Sequence, residues 1–331
     1  MRKIIAVVLS LLLVVGLAAC GRQENQVKEQ GEKPLEKVTV MLDWVPNTNH
    51  TGLYAALEKG WYKEQGLDVE IISPAEGGTT QLVATNKVDF GVSYQEDVTM
   101  ARANGVPVVS IAAVIQHNTS GLASKKEDNI TTPKDLEGRR YGGWGSPTEE
   151  AVIKAIMENA GADFNKVQFI NIGQADFFSV IGRDVDFTWI YYGWDGVEAQ
   201  RRGIPLNVMM LKDLHPALDY YTPVLISSEK TIADNPELVK KFMAATAKGY
   251  QFAIEHPEEA AEILLKHAPE LDKELVVASQ KWLSTRYRDD APRWGEQKKE
   301  VWENYTRWMY RWGLLPEMIA VDKAFTNDFL P

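Results

Sequence analysis

The sequence predicts an α/β protein of two lobes, with parallel-rich sheets flanked by helices and a helical C-terminal section. Strand-like runs alternate with helical segments along the chain, and a second such series begins near Asp128. Strands that are separated by helices favour parallel sheets with crossover connections. The chain has 331 residues, which is about twice the usual domain length and favours two lobes over one enlarged core.

Each half of the chain contributes its own predicted strands. Short apolar or alternating runs predict strands at 38–42, 69–72, 88–92 and 106–111, and then at 140–143, 167–170 and 187–190. Apolar spacing predicts helices at 51–59, 77–84 and 96–103.

Two helix starts have explicit capping signals. Ser146 is followed by Pro147 and then by Glu149, which predicts an N-cap serine, a first-turn proline and a capping box. Asn235 before Pro236 predicts a second start, after which the chain reads as almost wholly helical to its end.

The N-terminus has the layout of a secretory signal peptide. Arg2 and Lys3 precede an apolar run at 4–17 that is too short to span a bilayer comfortably. Cys20 is the only cysteine of the chain, and it follows small residues in a pattern that resembles the bacterial lipobox. We therefore predict a signal peptide at 1–19, lipidation of Cys20, and an extracytoplasmic protein on the outer face of the cell membrane.

Residues 20–37 are predicted to form a flexible tether, because this segment has too few aliphatic side chains to offset its ordering entropy. Folding is expected to begin at Val38. Removal of Arg2 and Lys3 with the signal leaves 34 basic against 46 acidic residues, a net charge of −12. No basic cluster stands out, so nucleic acid is not an expected partner.

Aromatic and polar residues gather at the ends of the predicted strands. In open α/β sheets, ligands bind outside the carboxyl ends of the strands. Aromatic faces suit a small planar ligand, and carboxylates accept hydrogen bonds from its amines or protonated ring nitrogens. The candidate ligand-binding residues are Asp43, Trp44, Asn47, His50, Tyr94, Glu96, Trp144, Ser146, Tyr191, Tyr192, Trp194 and Asp195.

The aromatic residues near the C-terminus are predicted to have a different role. Tyr305, Trp308, Met309 and Trp312 share one face of a helix. This spacing is typical of a face that packs on a core rather than one that binds a ligand.

Four segments carry a resemblance to a known family. They read LDWVPNTNHTGLYAA at 42–56, KGWYKEQGLDV at 59–69, NKVDFGV at 86–92 and WIYYGWDGVE at 189–198. This pattern resembles the family that joins bacterial pyrimidine-binding lipoproteins to fungal thiamine-pyrimidine synthases. The resemblance implies a type II periplasmic-binding-protein fold, and a monomeric receptor that delivers formylaminopyrimidine to an ABC permease. The motif at 59–67 alone indicates only the wider class of nitrate, sulfonate and taurine binders.

The synthase branch of the same family is one alternative. Its resemblance to this chain places the lysine that holds pyridoxal phosphate at Lys87. The histidine that those enzymes consume falls near Asp97, and their cysteine-rich iron motif falls near 220–224, where the chain has no cysteine. We therefore expect no enzymatic activity, no cofactor and no metal.

Two further alternatives come from other classes. A hydrolase is disfavoured because none of the five histidines lies in a serine-elbow or metal-binding pattern. A sensor ectodomain stays open, although the sequence shows no transmembrane signalling helix.

If the protein is a two-lobed solute-binding protein, one lobe is expected to comprise 38–120 with 225–331, and the other 121–224. The chain is expected to cross between them near 119–121 and 222–224.

Overall fold

The computed structural model describes residues 34–331 apart from 76, 77 and 174. The predicted signal peptide, Cys20 and nearly all of the predicted tether lie outside the described residues. The first strand begins at Glu36, slightly before the predicted start of folding, because the Glu36 amide donates to the Gly66 carbonyl oxygen (2.8 Å).

The first sheet is built from the first half of the chain and one later strand. Its order is β2-β1-β3-β10-β4. β1 runs parallel to β2 and β3, whereas β10 runs antiparallel to both β3 and β4. Its strands are β1 (Glu36–Met41), β2 (Leu67–Ile72), β3 (Phe90–Ser93), β4 (Val108–Ala113) and β10 (Val224–Ser228).

The second sheet repeats this arrangement. Its order is β7-β6-β8-β5-β9, in which β6 is parallel to β7 and β8, and β5 is antiparallel to β8 and β9. Its strands are β5 (Ser120–Lys125), β6 (Arg140–Gly143), β7 (Gln168–Asn171), β8 (Phe187–Tyr191) and β9 (Leu206–Met210).

The antiparallel strands were not predicted. The segments near 119–121 and 222–224 were expected to be plain crossovers, but they lead into β5 and β10. Each of these strands enters a sheet from the other half of the chain, so it runs against its neighbours. The prediction of parallel-rich sheets is confirmed, since the remaining strands of each sheet run in one direction.

Helices cover both sheets. They are α1 (Thr51–Glu58), α2 (Trp61–Glu64), α3 (Thr79–Ala84), α4 (Gln95–Ala103), α5 (Pro147–Asn159), α6 (Phe177–Val180), α7 (Val197–Arg201), α8 (Leu211–Leu214), α9 (Glu229–Asp234), α10 (Pro236–Glu255), α11 (Pro257–His267), α12 (Lys273–Ser284) and α13 (Lys299–Arg311). The predicted starts of α5 and α10 are confirmed, because Ser146 and Asn235 cap them through their side chains.

α13 contacts both halves of the protein. Trp302 packs with residues of the first sheet, whereas Tyr305, Trp308 and Met309 belong to the core that includes Leu122 of the second sheet. The prediction that this aromatic face is buried is confirmed for Trp308, which is 4% exposed. The prediction of helix to the C-terminus is wrong beyond Arg311, where only a short 3-10 turn at Val321–Lys323 follows.

α1 and α10 approach each other so closely that both need glycine. A Cβ atom on Gly249 of α10 would collide with the carbonyl oxygen of Gly52 in α1, and a Cβ atom on Gly52 would collide with the Tyr250 ring. Tyr250 is itself fully buried in the core of the first sheet. The two helices therefore cannot accept a side chain between them without moving apart.

We predict that Gly249→Ala lowers the free energy of unfolding by about 1–3 kcal/mol, because overpacking forces backbone shifts. Urea denaturation measures this change. Lys248→Ala is the matched control, since Lys248 makes only an exposed ion pair with Glu64 (3.4 Å), and its effect should stay within about 1 kcal/mol. Equal stability of Gly249→Ala and the wild type would contradict the packing described here.

Candidate functional site

The strands β1 and β8 end at a common cleft between the two halves. A cavity of about 30 Å³ lies there, which is room for about two water molecules. A ligand with an aromatic ring therefore fits only if the two halves move apart. The cavity is lined by Asn47, Thr48 and Asn49 after β1, by Tyr191, Gly193 and Trp194 after β8, by Ile115, Thr119 and Thr222 of the crossing segments, and by Leu283 of α12.

Asp43 is held in position by His50. His50 Nε2 lies 2.6 Å from Asp43 Oδ1, and the Asn47 amide donates to His50 Nδ1 (3.2 Å). Because Nδ1 accepts a hydrogen bond, the imidazole proton is assigned to Nε2, which donates to the carboxylate. The His50 side chain is 0% exposed. His50 thus lies behind Asp43 and orients it, which corrects the prediction that His50 contacts the ligand.

Trp44 and Asn47 lie on the loop that follows β1. Trp44 is 47% exposed and is not among the residues that line the cavity. The Asn47 side chain accepts from the Asn49 amide (2.9 Å) and donates to the Val45 carbonyl oxygen (3.1 Å). Asn47 therefore shapes the loop with its side-chain polar atoms while it also lines the cavity.

Glu96 lies in the first turn of α4, near Thr148 of α5 in the other half of the protein. Burial raises the pKa of Glu96 to about 7, and the nearby Asp97 and Glu149 carboxylates add to this effect. Glu96 consequently exchanges its proton near neutral pH, where an unperturbed glutamate is ionised.

Glu149 organises the loop between β6 and α5. Its buried carboxylate accepts hydrogen bonds from the Tyr141 hydroxyl (2.6 Å), the Trp144 amide (3.1 Å) and the Ser146 amide (2.8 Å). The Ser146 hydroxyl accepts from the Thr148 amide (3.2 Å). Ser146 therefore acts first as a helix cap, and the capping box positions Thr148 opposite Glu96.

Trp144 is the exposed aromatic residue of this loop. It is 48% exposed and meets Trp189 edge to face, with ring centroids 5.8 Å apart. Much of the Trp144 ring is therefore accessible to solvent, as is that of Trp44.

Tyr191 at the end of β8 and Trp194 in the turn after it present aromatic surface to the cavity. Tyr191 is 42% exposed as a whole residue, and Thr222 lies close to its hydroxyl. Burial of this hydroxyl, together with the Glu96 and Asp43 carboxylates, raises the pKa of Tyr191 above its usual range. Both of these carboxylates belong to the first half of the chain.

Tyr192 faces away from this cavity, contrary to the prediction. Its ring lies against Trp282 with centroids 5.2 Å apart, and its hydroxyl accepts from Gln200 Nε2 (2.8 Å). Tyr191 is the last residue of β8, and successive side chains along a strand point to opposite faces. The sequence has no signal that distinguishes Tyr191 from Tyr192.

Tyr94 and Asp195 complete the predicted set. Burial, and then the charges of Asp43 and Tyr191, raise the pKa of Tyr94 above its usual range. Asp195 Oδ2 accepts from the Tyr191 amide (3.2 Å). Burial raises the pKa of Asp195 to about 6, with a contribution from Asp176. Asp195 therefore supports the Tyr191 backbone.

Thr148, Thr222 and the aromatic pair Tyr220–Tyr305 belong to the site but were not predicted. The Tyr220 and Tyr305 rings stack with centroids 4.1 Å apart, and the Glu96 carboxylate raises the pKa of both after burial. The face of α13 that was assigned to the core therefore lies within range of the Glu96 charge. The helical spacing of 305–309 was the only sequence signal, and it indicates burial alone.

The structure also shows the positions that the synthase resemblance singled out. Lys87 is exposed and precedes β3, at the end of that strand opposite Glu96. Asp97 accepts hydrogen bonds from Thr80 and Ser93. Across the described part of the chain, no group of histidine, cysteine, aspartate and glutamate residues is arranged to hold a metal ion. No helix among residues 34–331, with their gaps, is long and apolar enough to cross a membrane.

The fold and cleft define a class of protein. The periplasmic aliphatic sulfonate-binding protein SsuA of Escherichia coli has a similar structure, with a TM-score of 0.66 and 14% identity over 87% of this chain and 91% of that one. This likeness confirms the two-lobed periplasmic-binding-protein fold. The class is that of two-lobed proteins with a cleft between their lobes.

The family follows from sequence comparison. A family profile described as NMT1/THI5 like matches residues 47–260, and the chain belongs to this family. The formylaminopyrimidine-binding protein of Halalkalibacterium halodurans is 31% identical over 331 residues, covering 98% of each chain. The 4-amino-5-hydroxymethyl-2-methylpyrimidine phosphate synthase of Legionella pneumophila is 30% identical over 300 residues, covering 89% of this chain and 92% of that one. The resemblance in the four segments is confirmed, and the chain is a solute-binding protein rather than an enzyme.

We predict that Glu96→Gln changes how stability depends on pH. A carboxyl group whose pKa rises to about 7 on folding contributes stability that is present below its unfolded pKa and is lost as the pH rises through about 7. The variant should therefore gain on the order of 2 kcal/mol over the wild type between about pH 5 and about pH 8. Urea denaturation across this range measures the difference.

Glu150→Gln is the matched control, because Glu150 lies exposed in the first turn of α5. Its stability should run parallel to the wild type across the same range. If the stability of Glu96→Gln also runs parallel to that of the wild type, Glu96 titrates as it would in water, and the description of Glu96 as buried is wrong.

Proposed function

We propose that the protein captures a thiamine-precursor pyrimidine, formylaminopyrimidine or a close analogue, for an ABC importer. The observation that carries this proposal is the cavity lined by the rings of Tyr191 and Trp194, near which the Asp43 and Glu96 carboxylates act on the Tyr191 hydroxyl. Among the described residues, neither carboxylate has a lysine or arginine within ion-pair distance. The relative from Halalkalibacterium halodurans, named for binding this compound, supports the same ligand.

The chemistry of the cleft suits an electron-poor ring that carries amino groups. A carboxylate accepts hydrogen bonds from an exocyclic amine and from a protonated ring nitrogen, and two such acceptors recognise an amine better than an anion. Aromatic rings that stack on the ligand add about 0.5–1.5 kcal/mol each beyond the buried area. Because Glu96 exchanges its proton near neutral pH, it adapts to either protonation state of the ring.

Hinge closure is the proposed mechanism of capture. The lobes are residues 38–120 with 225–331, and residues 121–224, and the chain crosses between them beside Thr119 and Thr222, which line the cavity. A ligand that contacts Asp43 on one side and Tyr191 on the other favours the closed state, since only that state makes both sets of contacts. Glu96 and Thr148 belong to different lobes and lie near each other, so they face each other across the same space between the lobes.

The charge of the cleft separates this proposal from an anion receptor. Nitrate, sulfonate and taurine carry anionic groups, and these would face Asp43 and Glu96 in the cleft. An anionic group next to a carboxylate in a partly buried site is strongly unfavourable, because the two like charges repel each other. The sulfonate receptors therefore share the fold with this chain, while the side chains favour a different ligand.

We further propose that the protein is a lipid-anchored, monomeric receptor on the outer face of the cell membrane. This rests on the lipobox-like pattern at Cys20, which lies outside the described residues, and on the extracytoplasmic binding proteins that share its fold. The segment 20–37 then tethers the receptor within reach of its permease.

We predict that the chain without residues 1–20 binds formylaminopyrimidine with a Kd of about one micromolar or below, near −8 kcal/mol. Trp194→Ala should weaken binding at least about tenfold, because it removes an aromatic face from the cleft. Isothermal titration calorimetry measures both.

Trp61→Ala is the control for this experiment. Trp61 is also half-buried, but it packs on Phe252 away from the cleft, so it should lower stability and leave affinity unchanged. Wild-type affinity in Trp194→Ala would show that Trp194 is structural. Binding of nitrate or an alkylsulfonate, and of no aminopyrimidine, would overturn the proposed ligand.

We predict that Cys20→Ala releases the protein from the membrane or stalls its processing, without a change in ligand affinity. One acyl chain anchors only marginally, and stable attachment needs more than one. Membrane fractionation and intact-mass measurement test this. Wild-type protein found free outside the cell with an unmodified Cys20 would contradict it.

A further inference from the structure

A second, larger cavity lies beside the first crossing segment, on the side to which Tyr192 points. It encloses about 300 Å³, and Thr119 separates it from the cleft because this residue lines both cavities. Its walls come from both halves of the protein. Lys212 follows β9 of the second sheet, and Trp282 and Arg286 lie at and just after the end of α12. We call it the crossover cavity.

The guanidinium group of Arg286 is held in one orientation in this cavity, with donors free for an anion. Its guanidinium group lies 3.6 Å from the centre of the Trp282 ring, and Nη1 donates to the Trp282 carbonyl oxygen (2.6 Å). These contacts fix the plane of the group. Among the described residues, no carboxylate lies within ion-pair distance of Arg286, and its Nε and Nη2 atoms have no hydrogen-bond partner. A fixed guanidinium fork with free donors matches an oxyanion.

Lys212 supplies a second positive charge from the opposite wall. It is exposed, and it forms no ion pair with any described residue. The acidic residues nearby are largely committed elsewhere. His117 lies between Asp219 (2.7 Å) and Asp290 (3.3 Å), and Asp290 also pairs with Lys298 (3.3 Å).

Asp289 is the one carboxylate among the residues that line the crossover cavity. Lys212 and Arg286 outweigh it, so the lining carries net positive charge even when His117 is counted as balanced by its partners. This is the opposite of the cleft, where Asp43 and Glu96 have no basic partner, and of the chain as a whole, whose net charge is −10.

We propose that the crossover cavity binds a small oxyanion, such as phosphate, sulfate or the carboxylate of a small molecule. The oxyanion would accept hydrogen bonds from Nε and Nη2 of Arg286 and would form an ion pair with Lys212. Because these residues belong to opposite walls, the bound anion draws the two halves together at the crossing segment. This site is separate from the pyrimidine cleft in position and in charge.

Calorimetric titration of the full chain with inorganic phosphate and with sulfate, without pyrimidine and at constant ionic strength, tests the proposal. We expect wild-type binding at submillimolar concentrations. Arg286→Met and Lys212→Met should each weaken it at least about tenfold. Lys281→Met is the matched control, because Lys281 lies on α12 and pairs with Glu258 (2.5 Å) away from the cavity, and it should bind like the wild type.

Circular dichroism melting curves establish that the variants are folded. If Arg286→Met is unfolded, Lys212→Met carries the test alone, since Lys212 is exposed. Absence of phosphate and sulfate binding to the wild type, or equal loss in Lys281→Met, overturns the proposal. Failure of pyrimidine binding leaves this outcome unaffected, because no pyrimidine is present.

Discussion

The double passage of the chain between the two sheets is the constraint on which the rest of the structure depends. β10 is hydrogen-bonded to β3 and β4, and β5 to β8 and β9, so each crossing segment ends inside a sheet rather than at its edge. Two short connections therefore join the two halves. Thr119 and Thr222 lie on those connections and line the cavity, which is where the proposed hinge closure would act.

Charge separates the two sides of the crossing. The carboxylates near the cleft have neutral neighbours, with His50 behind Asp43 and Thr148 near Glu96. Burial of such groups without cations is unfavourable, and a ligand that donates hydrogen bonds relieves that cost. On the other side, Arg286 has no carboxylate within ion-pair distance among the described residues. Adjacent sites of opposite character can therefore recognise different chemistry within one fold.

The helix α13 joins the packing of the two sheets. Trp308 and Tyr305 belong to the core of the second sheet, whereas Trp302 packs with residues of the first. The Glu96 charge also acts on the Tyr305 hydroxyl. The same fold serves sulfonate receptors and a synthase among the similar proteins, so the side chains around the cleft, rather than the architecture, determine what this chain does.

The sequence by itself determined the elements whose causes are local. The capping signals at Ser146 and Asn235 predicted helix starts, and apolar runs predicted most strands, because caps and periodicity act within a few residues. Tertiary structure alone decided that β5 and β10 run antiparallel, since strand direction depends on partners far along the chain. It also decided that Tyr191 faces the cleft while Tyr192 faces away, and that His50 lies behind Asp43, because side-chain direction depends on the turn and its packing.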